Sequence, residues 1–155
     1  MTKGKRGRIL LAVNDGETSF KAARYVGDIC GRMSDCDICL LNVSPEPPPY
    51  YYLEGHSLAD YVKDKEAKAA VLFKKIIKEI LEPLGVDHGQ ISTRSYVTGQ
   101  AETISGAIKK IQREGEFETV VVGKRGVSKA EEFLFGSISN AMARSCDSFT
   151  VWIVA

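Results

Sequence analysis

The stretch GKRGVSKAEEFLFGS, residues 123–137, carries the residue types and spacing of this chain best suited to chemistry. Gly126 follows Gly123 after two residues, Gly136 comes after nine more, and Ser137 stands directly behind it. Glycine lets a turn take backbone angles that a side chain forbids, and lets the main chain approach a ligand closely. Unpaired N–H groups at a helix N-terminus attract anions, and a hydroxyl there adds a donor. With Lys124, Arg125 and Lys129 supplying charge, the stretch can form a phosphate cradle that uses no Walker lysine. The same residues also suit a turn behind a strand followed by a helix cap, and spacing alone leaves both readings open.

Other chemistries find less support. There is no G-x-x-x-x-G-K-[ST] run, no G-x-G-x-x-G behind a strand and no His-x-Gly-His pair. Phosphoryl transfer needs a group that orients water and another that stabilises developing charge. Arg125 and Lys124 suit the second task, whereas Asp15, Glu131 and Glu132 stand in no catalytic motif and read as solvated loop charges. Slow ATP hydrolysis is the most they would support. Cys36-Asp37-Ile38-Cys39 is formally a C-x-x-C, but it leads into ICLLNV, where residues three apart on a strand point to opposite faces and cannot chelate one metal. His56 and His88 fall in loops or boundaries. Cys30, Cys36, Cys39 and Cys146 therefore read as small, reduced core or boundary residues, and no metal site is expected.

The elements that must position the glycines follow from periodicity. RILLAV, residues 8–13, is an apolar run that ends at Asn14-Asp15-Gly16, as a central strand entering a turn does. From Ser19, the apolar residues Ala22, Val26, Ile29, Cys30 and Met33 recur at helical spacing, with Lys21, Arg24, Asp28 and Arg32 outside the stripe. DICLLNV, residues 37–43, is a second strand, and the proline-rich SPEPPPYYYLEGH behind it is expected to be a loop. A long helical stripe covers about 58–84. ISTRSYV, residues 91–97, alternates as a strand near a sheet edge, and Ile104, Ala107, Ile108 and Ile111 mark a third helix. TVVVG, residues 119–123, is a buried strand. Ile138, Ala141, Met142 and Ser145 mark a fourth helix, and FTVWIV, residues 149–154, closes the chain.

Five strands alternating with four helices predict an α/β fold with an open, parallel, doubly wound sheet and helices on both faces. Ligands bind such sheets beyond the carboxyl ends of the strands, where the winding reverses. The turns after Val13, Val43 and Val122 are therefore the places for a site.

The 155 residues, 44% of them hydrophobic, suffice for one core, so a single domain spanning 1–155 is expected, with a basic tail at 1–7 and a Pro/Tyr-rich loop at 44–57. The formal charge of +1 gives no sign of a nucleic-acid or membrane-surface partner. No apolar run approaches the ~20 residues of a membrane helix, and the start lacks a signal-peptide core, which suggests a cytoplasmic protein. Tyr50, Tyr51 and Tyr52 behind three prolines, and Pro45-x-x-Pro48, offer a patch for a protein partner, although a mobile loop would look the same.

Gly123-x2-Gly126-x9-Gly136-Ser137, together with ILLAVNDGETS and LLNV, resembles the universal stress protein family, in the subset whose glycine signature binds ATP. The resemblance covers nearly the whole chain. It implies strand order 3-2-1-4-5, a homodimer formed through the C-terminal strand, and ATP, with Mg2+, as ligand. It further implies that Val13 and Asn14 flank the adenosine, with Asp15 in the same nucleotide-binding set, that Val43 contacts adenine, and that Val122 and Gly123 lie beside ribose and phosphates. Arg125, Gly126, Gly136, Ser137, Ile138 and Ser139 would line the triphosphate. Two departures stand out: Asn14 where the family often has Asp, and Gly99-Gln100-Ala101 where many members have Gly-x-Pro, a change expected to touch only a helix start. The function implied is that of an ATP-dependent regulator in stress response. A nucleotide-independent dimeric interaction module and a slow ATP hydrolase are the alternatives.

Overall fold

The computed structural model describes residues 7–124, 138–144 and 147–155. Five parallel strands form one sheet: β1 (Arg8–Ala12), β2 (Asp37–Ser44), β3 (Ile91–Val97), β4 (Thr119–Gly123) and β5 (Thr150–Val154). Their spatial order is β3-β2-β1-β4-β5, as the resemblance implies. Leu11 lies between Leu40 on β2 and Val121 on β4, which sets the central register. These short runs of apolar residues form strands because both faces are covered. Leu11, Leu40 and Val121 point into one core with α1 (Glu17–Cys30) and α3 (Leu58–Ile76). Leu10, Leu41 and Val120 point into the other, with α4 (Ile104–Gly115) and Met142 of the helical residues 138–144.

Three local features depart from the sequence expectation. Within the proline-rich segment, Pro49–Leu53 forms a one-turn helix, α2. Proline is tolerated there because a first-turn N–H has no intrahelical acceptor to lose. The long stripe does not run on as one α-helix: after α3, residues Ile77–Leu81 open into a π-helical turn, and Ile76, Ile80 and Leu81 are all buried. Gly27 and Gly31 bring α1 against this segment, since a Cβ on Gly31 would strike the Leu84 carbonyl oxygen.

The third departure concerns the cysteines. Cys30 at the end of α1 and Cys36 ahead of β2 are joined in a disulfide, with Cα atoms 5.6 Å apart, so this pair is not reduced. Spacing along one strand carries no information about a bridge between a helix end and a strand start. Cys36 and Cys39 do fall on opposite faces, in different cores. The free Cys39 thiol is pushed above its ordinary pKa, chiefly by burial. Cys146 lies outside the described residues.

Candidate functional site

β1 sits between β2 and β4, and the chain winds outward from it in both directions, so the winding reverses at its carboxyl end. That end is where an open α/β sheet leaves a crevice. Val13 continues β1 by donating its N–H to Leu41 O at 2.8 Å. Its carbonyl accepts from Asn42 Nδ2 at 2.8 Å, tying the end of β1 to β2. Asn14 then turns the chain. Its Oδ1 accepts the Gly16 N–H at 2.7 Å, and the Ser19 hydroxyl both donates to that oxygen and accepts the Asn14 N–H, each at 3.0 Å. The turn delivers the chain to the N-terminus of α1, with exposed Asp15 and Glu17 on its outer side.

β4 ends beside this turn. Val122 and Gly123 are buried, and a Cβ on Gly123 would stand 2.9 Å from Thr18 Oγ1 and 3.0 Å from the Thr18 backbone. The left-handed φ values among described glycines belong to Gly7, Gly55 and Gly85. Glycine at 123 thus answers to close packing against the start of α1, and the expectation that it supplies an unusual turn angle is corrected. Val43, half-buried at the end of β2, packs in the same core as Val122 and Ile138. Ser139 is 6% exposed, and its hydroxyl has no hydrogen-bond partner among the described residues.

The structure therefore brings Val13, Asn14, Val122 and Gly123 to the point where the winding reverses, with Val43 and Ile138 sharing the core beneath. Asp15 is exposed. Arg125, Gly126, Gly136 and Ser137 lie outside the described residues, as do Lys129, Glu131 and Glu132. Sequence reasoning missed Thr18, Ser19 and Asn42. A polar Asn42 inside the apolar run of β2 was the available signal for one of them. Among the described residues no three His, Cys, Asp or Glu side chains gather as a metal cluster, and no helix is long and apolar enough to cross a membrane.

The turn after β3 also bears on the departures from the family pattern. Ala101 has φ +60°, which a proline ring cannot adopt, and Thr103 caps α4 by accepting the Gly106 N–H. Gly-x-Pro is replaced here by a different approach to that helix.

The model of the universal stress protein family matches residues 5–155. No curated protein matches the sequence. Among solved structures the chain is similar to universal stress protein UspA from Lactobacillus plantarum, at 13% identity and TM-score 0.72, covering 98% of this chain and 99% of that one. It is also similar to a universal stress protein in complex with cAMP, at 18% identity and TM-score 0.63, with 96% of each chain covered. A third is the universal stress protein from Archaeoglobus fulgidus in complex with dAMP, at 12% identity and TM-score 0.60, covering 98% of this chain and 100% of that one.

Proposed function

We propose that this chain, which belongs to the universal stress protein family, binds ATP at the carboxyl ends of β1 and β4 and acts as a nucleotide-dependent regulator in stress response. The observation that carries this reading is the reversal of strand order at β1, with Val13, Asn14 and Gly123 gathered there. The complexes of two similar structures with cAMP and dAMP make an adenine nucleotide the fitting ligand class.

In this reading Val13 and Asn14 flank the adenosine, with Asp15 beside them in the nucleotide-binding set, Val43 meets the adenine, and Val122 and Gly123 lie beside the ribose and phosphates. Arg125, Gly126, Gly136, Ser137, Ile138 and Ser139 hold the phosphates. Magnesium would be carried mainly by phosphate oxygens and water, since it keeps several waters and takes one or two carboxylates; Asp15 and Glu17 are the carboxylates that the turn after β1 supplies. A difference in ATP affinity between two conformations would set how far ATP shifts the surface that a partner reads.

A second reading has its own support. Tyr50, Tyr52 and Leu53 of α2 are 62%, 46% and 86% exposed, an apolar patch that suits a protein partner whether or not nucleotide is bound. Titration calorimetry separates the two. ATP should bind more tightly than ADP, and ADP more tightly than AMP, with at least a tenfold loss for ATP when Gly126 and Gly136 both become bulky residues. A folded protein with no affinity for any of the three would overturn the nucleotide reading, and equal affinity for all three would show that the glycine loop does not grip the terminal phosphates.

A further inference from the structure

β3 forms one margin of the sheet and pairs with β2 alone, in unbroken register from Ile38 opposite Ile91 to Ser44 opposite Val97. The Thr98 N–H donates to Ser44 O at 2.9 Å, so alternation along a strand turns the backbone groups of Thr93 and Ser95 away from β2. No described residue engages them. Native edge strands are usually blunted by proline, lysine, a bulge or a covering element. β3 has no proline, lysine or bulge, and Arg94 folds back over the Tyr96 ring towards Glu114, 3.8 Å away.

Beside this open margin lies a groove of about 450 Å3 between α3 and β3. Ala70, Phe73 and Ile77 supply apolar lining, and Thr93 and Ser95 form the β3 side. Lys74 and Lys78, one helical turn apart, stand on its rim, both exposed and neither in an ion pair with a described residue. Glu66 is the groove's one acidic residue, and His88 is already paired with Glu82.

We propose that an extended acidic peptide segment of a partner protein docks here by adding a strand to β3. Its backbone pairs with the free groups of Thr93 and Ser95. Alternate acidic side chains lay their stems on Phe73 and Ile77 and bring their carboxylates to Lys74 and Lys78. Open strand edges bind peptides in this way, with the main chain supplying affinity and alternate side chains supplying specificity. The surface is separate from the crevice at β1 and β4 and does not depend on nucleotide.

The test uses the full chain and a capped nonapeptide of alternating glutamate and valine. Isotope-edited NMR should show shifts centred on residues 91–97 and the groove face of α3. Calorimetry should give at least tenfold weaker binding for the lysine-for-glutamate peptide and for a Lys74→Glu, Lys78→Glu variant, both positions being exposed so that the fold persists. N-methylation of the pairing amides should abolish binding. Equal affinity for the glutamate and lysine peptides, or unaltered binding after N-methylation, would overturn the proposal, the latter marking a simple carboxylate site. Self-association that shields residues 91–97 and excludes the peptide would overturn it too, in favour of a second copy as occupant.

Discussion

Ser19 and Asn14 hold each other through two hydrogen bonds: the Ser19 hydroxyl donates to Asn14 Oδ1 and accepts the Asn14 backbone N–H, both at 3.0 Å. The pair fixes the turn that carries β1 into α1. Ser19 is 3% exposed, so Ser19→Ala leaves a shielded N–H without its acceptor, at a cost of about 1–3 kcal/mol. The urea midpoint should fall with the slope unchanged. Asn14→Asp keeps the accepting oxygen and adds a negative charge near the N-terminus of α1, where it is favourable, so it should cost less. A midpoint unmoved by Ser19→Ala would show that the turn does not depend on this pair.

Gly123 allows the end of β4 to pack on Thr18. In Gly123→Ala the new methyl meets both the Thr18 hydroxyl oxygen and its backbone, which should cost about 1–3 kcal/mol through overpacking. Adding Thr18→Ala removes only the hydroxyl contact, so recovery should be partial. Full recovery would mean that the backbone can give way freely. Comparing nucleotide affinity in the folded variants then separates packing at this glycine from contact with ligand.

The Cys30–Cys36 bridge closes a short loop of six residues' separation. Loop-closure entropy for a ring of this size corresponds to about 2 kcal/mol. Thermal unfolding with and without a thiol reductant should differ by that amount, and the difference should vanish in a Cys30→Ala, Cys36→Ala variant. A reductant effect that survives in the double variant would have to come from elsewhere.

The Glu102 carboxyl is held below the ordinary glutamate range, first by the Gly99 N–H and then by the Tyr96 hydroxyl, which bond it at 3.1 and 2.8 Å. A depressed folded pKa stabilises the protein above the unfolded value of about 4.3 and loses that contribution as pH falls through the folded value. Acid titration of stability should therefore show a loss beginning near pH 4 and below, smaller in Glu102→Gln. Identical acid profiles for the two proteins would refute the link.

The readable parts of this fold were those with a strong period. The apolar runs of β1, β2 and β4 and the helical stripes of α1 and α4 announce themselves, and strands alternating with helices leave a parallel sheet as the economical arrangement. The less readable parts depend on contacts distant in sequence. Gly123 looks like a turn former until Thr18 is seen against it. Cys30 and Cys36 look like unrelated thiols until α1 and β2 converge, and the π-helical turn at Ile77–Leu81 leaves the hydrophobic pattern of α3 unbroken. Asn42 was legible only as a polar residue out of place, and its purpose appears with the Val13 carbonyl it holds.

β5 is the opposite margin of the sheet and contains neither proline nor lysine. The Thr150 N–H donates inward to Glu118 O at 2.8 Å, and the Val154 carbonyl accepts inward from the Lys124 N–H at 2.6 Å. The backbone groups of Val151 and Ile153 therefore point outward. Trp152 is held within the chain, edge to face with Tyr25 at 5.7 Å, which leaves Ile153, 43% exposed, as the open apolar residue. We propose a homodimer in which residues 149–154 of two copies pair about a two-fold axis, satisfying both edges at once. Val151→Pro removes an outward donor while sparing the inward ladder to β4, so it should favour the monomer with little loss of fold. Light scattering at micromolar concentration should report a dimer for the unaltered protein and a monomer for the variant. A monomeric unaltered protein, or a variant that remains dimeric, would rule out this edge as the interface.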